Sequence, residues 1–104
     1  MPRRENRTTA KVMSGVLYTE AASFGLETSE WWVWLVREES TTFYVETNIG
    51  TFTARREPQS GGLYWYAYRK YRGKLAKFYL GKSDELTKAR ISEAVKQLAD
   101  RVGA

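Results

Sequence analysis

At 104 residues, the chain is long enough for one domain with one modest core. It carries a net charge of +5 and contains neither cysteine nor histidine, which excludes disulfides, thiolate chemistry, Ser–His and Cys–His hydrolases and the usual zinc and iron sites. The longest apolar run, Trp31–Val36, is six residues against the ~20 of a membrane helix, and no apolar stretch follows Arg3, Arg4 and Arg7, so a cytoplasmic protein is expected.

The charge is unevenly placed. Residues 1–11 hold Arg3, Arg4, Arg7 and Lys11 against Glu5. Residues 12–46 are acidic, with Arg37 facing Glu20, Glu27, Glu30, Glu38, Glu39 and Glu46. Residues 55–82 hold Arg55, Arg56, Arg69, Lys70, Arg72, Lys74, Lys77 and Lys82 against Glu57 alone, a net of +7. A polyanionic partner fits that segment, and a solvated basic sheet face is the plainer alternative.

In chain order, residues 1–11 are basic and aperiodic and read as a disordered arm, followed by a single domain over 12–104. Residues 12–28, broken by Gly15 and Gly25, fit either one short strand or an ordered tail. Ser29 is a candidate N-cap for a helix running to Glu39, with Glu30 in its first turn and Arg37 in its last. The alternation of Trp32, Trp34 and Val36 leaves a strand open. Tryptophans at 31, 32 and 34 read first as core, and second as a contact for a protein partner.

A meander follows. Phe43 and Val45 alternate with polar residues, Thr47-Asn48-Ile49-Gly50 forms a turn, and Phe52 and Ala54 resume the alternation. That loop length places Val45 opposite Phe52 and Phe43 opposite Ala54. Ser60-Gly61-Gly62 separates this hairpin from a strand over Leu63–Lys70, and Tyr71-Arg72-Gly73 leads into a last strand, Leu75–Lys82. A two-residue loop would set Ala67 opposite Phe78, and a three-residue loop with a glycine bulge would set Tyr66 there. Gly73 sits where the bulged form needs it, so the bulged register is expected. Tyr64, Tyr66 and Tyr68 then face inward, while Trp65, Ala67 and Arg69 face outward beside Lys77 and Tyr79. In both registers Ala76, Phe78 and Leu80 face inward. Thr87 caps a final helix whose stripe is Ile91, Ala94, Val95, Leu98 and Val102, with Leu86 and Ile91 as a hydrophobic staple and Gly103 at its end. The expected fold is therefore α+β: an antiparallel β-meander of three to four strands packed on a C-terminal α-helix, with a short Trp-rich N-terminal helix.

The outward face so drawn carries Thr51, Thr53, Arg55, Trp65, Arg69, Lys77 and Tyr79, rimmed by Arg56, Arg72, Lys74 and Lys82. A ribbon of this kind fits a major groove ~12 Å wide, where arginine forks onto guanine and lysine meets phosphate. Packing of Trp65 and Tyr79 beneath the N-terminal segment, as a second core, is the competing reading. The pattern Trp65-x-Ala67-x-Arg69, then Lys77-x-Tyr79-Leu80-Gly81, then Ser83-Asp84 and an alanine-containing helix resembles the APETALA/ethylene-response-factor DNA-binding domain and the arm-type DNA-binding domains of tyrosine recombinases. The resemblance covers residues 50–102. It implies a three-stranded sheet on a C-terminal helix, docked in the major groove of duplex DNA, with Arg55, Arg69 and Lys77 as basic contacts and Tyr79 as the aromatic one. Ala67 stands where that family has an acidic contact, and the segment 29–46 has no equivalent there.

The expectation is a duplex DNA-binding protein, a transcriptional regulator or mobile-element accessory factor associated with the nucleoid, using Arg55, Arg56, Trp65, Arg69, Arg72, Lys74, Lys77, Tyr79 and Lys82. No cofactor, metal or enzymatic activity is expected. RNA or single-strand binding and a protein-interaction adaptor are the alternatives.

Overall fold

The computed structural model describes residues 10–101. The basic residues Arg3, Arg4 and Arg7, and the expected helix end at Val102 and Gly103, lie outside the described residues.

Seven strands form one sheet in the order β3-β2-β1-β4-β5-β6-β7. They are β1 Ala10–Met13, β2 Val16–Tyr18, β3 Ser23–Gly25, β4 Thr42–Thr47, β5 Gly50–Gln59, β6 Gly62–Tyr71 and β7 Lys74–Gly81. Helix α1, Ser29–Val36, lies between β3 and β4, and a 3₁₀ turn at Ser83–Glu85 precedes α2, Lys88–Arg101. This corrects the expected three- to four-stranded antiparallel meander: the sheet is mixed, because β1 pairs in parallel with β4. Two further strands come from the segment 12–28, and β1 begins at Ala10, inside the stretch read as an arm. The reason is physical. Strands of three and four residues have little periodicity of their own: β1 is fixed by β4, some thirty residues downstream, and β2 and β3 add to it in turn.

Local chemistry explains each junction. Ser14 and Gly15 both adopt positive φ (53° and 76°), as the two-residue turn between β1 and β2 requires. At the β4–β5 turn, the Thr47 hydroxyl accepts from the amides of Ile49 and Gly50 and donates to the Gly50 carbonyl. The expected register there is present, with Phe43 opposite Ala54 and Val45 opposite Phe52. Helix α1 is capped by Thr28, one residue before the expected Ser29. It stops at Val36 rather than Glu39, because Arg37 is extended and the Arg56 guanidinium donates to the carbonyls of Leu35, Arg37 and Glu38. These are the acceptors a helix end leaves open. At α2, Thr87 accepts from the Arg90 amide as expected, and Glu27 takes the Lys88 amide at 2.6 Å.

Both helices cover the same face of the sheet. Across that face Ala10, Phe43, Ala54, Ala67 and Phe78 stand in one row, the small residues leaving room for α2 above β5, β6 and β7. Helix α2 buries Ile91, Ala94, Val95 and Leu98, and α1 buries Trp31 and Leu35. Burying a Leu, Ile or Val contributes ~1.5–3 kcal/mol. The two buried indoles are satisfied: Trp31 donates to the Leu86 carbonyl and Trp65 to the Ser83 hydroxyl, both at 2.9 Å.

The β6–β7 hairpin corrects the expected register. Tyr71 pairs with Lys74 and Ala67 with Phe78, so the loop is the two residues Arg72 and Gly73, both at positive φ (52° and 82°). A bulge does occur, but at the far end, between Trp65 and Tyr66. The one-residue slip exchanges the faces of β6. Trp65 and Ala67 are fully buried, and Tyr64, Tyr66 and Tyr68 lie on the uncovered side. Strand β7 keeps its expected faces.

Candidate nucleic-acid interface

The uncovered face of the sheet is built by strand alternation. One row crosses six strands as Tyr18, Lys11, Tyr44, Thr53, Tyr68 and Lys77. A second runs Thr42, Arg55, Tyr66 and Tyr79. Glu57 and Tyr64 are paired beyond it. Neighbouring strands lie ~4.8 Å apart, so β5, β6 and β7 make a ribbon of roughly 10 Å between outer backbones.

The aromatic rings are in mutual contact. Tyr79 lies 6.1 Å from Tyr64 and 5.4 Å from Tyr66, centroid to centroid. The Lys77 ammonium sits 4.3 Å from the centre of the Tyr66 ring and 5.4 Å from that of Tyr68. It lies 3.8 Å from Glu57 Oε1, while the Tyr68 hydroxyl donates a short hydrogen bond to Glu57 Oε2. Burial raises the Tyr68 phenol above its ordinary pKa, and the bond to Glu57 adds to the rise. The hydrogen bond with Tyr68, opposed by partial desolvation, raises Lys77. Burial, with Glu85 nearby, raises Tyr79. The raised Tyr68 and Tyr79 phenols and the raised Lys77 ammonium keep their protons at neutral pH, and the Arg55 side chain is exposed beside them.

The hairpin tip concentrates cations. Lys70, Arg72 and Lys74 are all exposed and flank the Arg72-Gly73 turn, with Arg72 stacked 5.4 Å from the Tyr71 ring. Lys82 is exposed where β7 gives way to the 3₁₀ turn.

Six of the nine residues singled out from sequence thus lie on or around the open face: Arg55, Lys77 and Tyr79 on it, Arg72 and Lys74 at the tip, and Lys82 at the strand end. Three do not. Trp65 is buried beneath Arg56, whose guanidinium lies 5.7 Å from its ring. Arg56 is committed to the α1 carbonyls. Arg69 lies on the covered side against Tyr71, and its Nη1 is buried without a hydrogen-bond partner. Of the Trp cluster, Trp31 is buried, while Trp32 and Trp34 are half-buried against the core.

Sequence reasoning missed Tyr64, Tyr66 and Tyr68 as surface residues, and gave no role to Glu57, Lys70, Tyr44 or Tyr18. A signal was present. Tyrosine hydroxyls suit a wet face better than the space between sheet and helix, and Ala67 beside Trp65 suits a helix-covered row. No protein-family model, curated protein or solved structure matches the chain. Among the described residues, no helix is long and apolar enough to cross a membrane.

Proposed function

We propose that this protein binds duplex DNA through the open face of its sheet, with β5, β6 and β7 at the major groove and the β6–β7 tip at the phosphate backbone. The single observation that carries the reading is the juxtaposition of Arg55, Lys77 and four tyrosines on one uncovered face with Lys70, Arg72 and Lys74 at its hairpin tip. Strands β5, β6 and β7, at one edge of the seven-stranded sheet, can present their rows of side chains to a groove ~12 Å wide. Phenols and lysines supply hydrogen bonds and charge to phosphate, and Arg55 can fork onto a guanine edge. The protein acts by binding alone, as a regulator or an accessory factor at the nucleoid.

The tyrosine cluster favours a second reading. Half-exposed rings interleaved with cations also form a platform on which the bases of a single strand stack. The test is an NMR titration of the full chain with a random-sequence duplex, repeated with a single strand of the same length. The duplex is expected to shift Arg55, Tyr66, Lys77 and the tip at equal or lower concentration than the single strand. Affinity should fall with a log–log salt slope of roughly −4 to −5, for ~4–6 phosphates neutralised. Preference for the single strand would move the reading to stacking. Flat salt dependence, or shifts confined to α1, would refute nucleic-acid binding.

A further inference from the structure

We infer that Glu57 and Lys77 act as one acceptor–donor couple that reads a G·C base pair; the inference rests on the proposal that this face binds duplex DNA. A carboxylate on a polyanion-binding surface is a liability unless it meets something other than phosphate. Glu57 lies near the C-terminal end of β5, beyond the row of Arg55, Tyr66 and Tyr79, its side chain 29% exposed and in contact with Tyr68 and Lys77. The exposed cations of the β6–β7 tip, Lys70, Arg72 and Lys74, lie at the other end of these strands, while Arg55 stands two residues from Glu57 on β5. A phosphate strand held at that tip leaves the Glu57 end of the face to base edges.

The geometry of the pair supports base reading. Oε2 is occupied by the Tyr68 hydroxyl, which fixes the carboxylate. Oε1 stands 3.8 Å from the Lys77 ammonium, too far for a hydrogen bond, so both groups keep capacity for a ligand. An ionised carboxylate only accepts, and an ammonium only donates. On the major-groove edge of a G·C pair the cytosine N4 amino donor lies beside the guanine O6 acceptor, with N7 next to it. The couple can take both at once, Glu57 from N4 and Lys77 to O6 or N7. An A·T pair also sets a donor beside an acceptor, but it carries the thymine methyl group and gives the ammonium no second acceptor next to the first.

The test is enrichment of a randomised duplex pool by the wild type, Glu57→Gln and Glu57→Asp, with thermal unfolding of each as a check on folding. The wild type should enrich one fixed G·C pair. Glu57→Gln should lose preference there by roughly 5- to 100-fold and gain adenine, which glutamine reads in bidentate fashion. Its affinity for random duplex should not fall, because a repelling charge is gone. Glu57→Asp keeps the charge but withdraws the oxygens by one methylene. It should lose the preference without gaining affinity. An unchanged enriched sequence in both variants, or no enriched pair in a wild type that does bind duplex, would overturn this inference alone. A wild type that binds no duplex would overturn the proposed function beneath it.

Discussion

Trp65 and Tyr66 are adjacent in sequence and opposite in fate, so truncating each to alanine tests the face assignment of β6. Trp65 is fully buried, packs 5.1 Å from the Phe43 ring, lies under the Arg56 guanidinium and donates to Ser83. Trp65→Ala should cost ~3–5 kcal/mol through the cavity and the lost transfer energy. For a domain this size each kcal/mol lowers Tm by ~4–8 °C, giving a drop of roughly 12–40 °C. That is a large part of a typical total of ~5–15 kcal/mol. Tyr66 is half-buried on the open face, touching Tyr79 and Lys77. Tyr66→Ala should cost only ~0.5–1.5 kcal/mol. Trp65→Phe keeps most of the volume and removes the bond to Ser83, for an intermediate ~1–2 kcal/mol. Urea titration followed by far-UV circular dichroism, with unchanged m-values, gives all three. A Tyr66→Ala loss equal to or above that of Trp65→Ala would mean that the slipped register, with tyrosines inward, is the true one.

Other consequences can be measured directly. Arg90 donates to the carbonyls of Tyr79 and Leu80, and Arg101 to that of Lys77, so α2 arginines occupy the free edge of β7. The double variant Arg90→Ala/Arg101→Ala should expose that edge to strand pairing and show concentration-dependent association by sedimentation; a strict monomer at all concentrations would refute the blocking role. Tyr68, Lys77 and Tyr79 all have raised pKa values in the fold. The folded state therefore holds these protons more tightly, and the contribution of these three groups to stability should be constant below about pH 10 and fall as pH rises through the folded values. In Glu57→Gln, tyrosinate absorbance should appear at lower pH than in the wild type, because one cause of the Tyr68 rise is gone; an unmoved titration would refute the Tyr68–Glu57 bond.

Features with a clear local pattern and a single reading were legible in the sequence. The β4–β5 register followed from a turn of known length between two alternating runs. Helix α2 followed from its period and from Thr87. The faces of β7 were the same under both registers considered. Residues 10–25 were not legible, because β1 gains its place from a parallel partner beyond an intervening helix, and a four-residue strand carries too little pattern to announce that. The β6–β7 turn failed for another reason. Its observed form puts Arg72, a residue with a Cβ, at φ 52°, which local sterics disfavour. Burial of Trp65 and Ala67 on the covered face outweighs that cost, and the misfit of the two strands is absorbed by the bulge at Trp65/Tyr66 instead.

That single slip also changes what the charge of the 55–82 segment means. Counted along the chain, its basic residues seem to form one patch. Folded, alternation divides them. Arg56 closes the carbonyl end of α1 over the Trp65 ring, and Arg69 packs on the covered side. Neither side chain can touch a ligand on the open face. The face is left with fewer cations and more hydroxyls than a count along the chain suggests, and with the Glu57 carboxylate beside Lys77. A surface made only to hold phosphate gains nothing from Glu57. Its presence beside Lys77, tied down by Tyr68, is the feature that separates recognition of base edges from simple attraction to a polyanion.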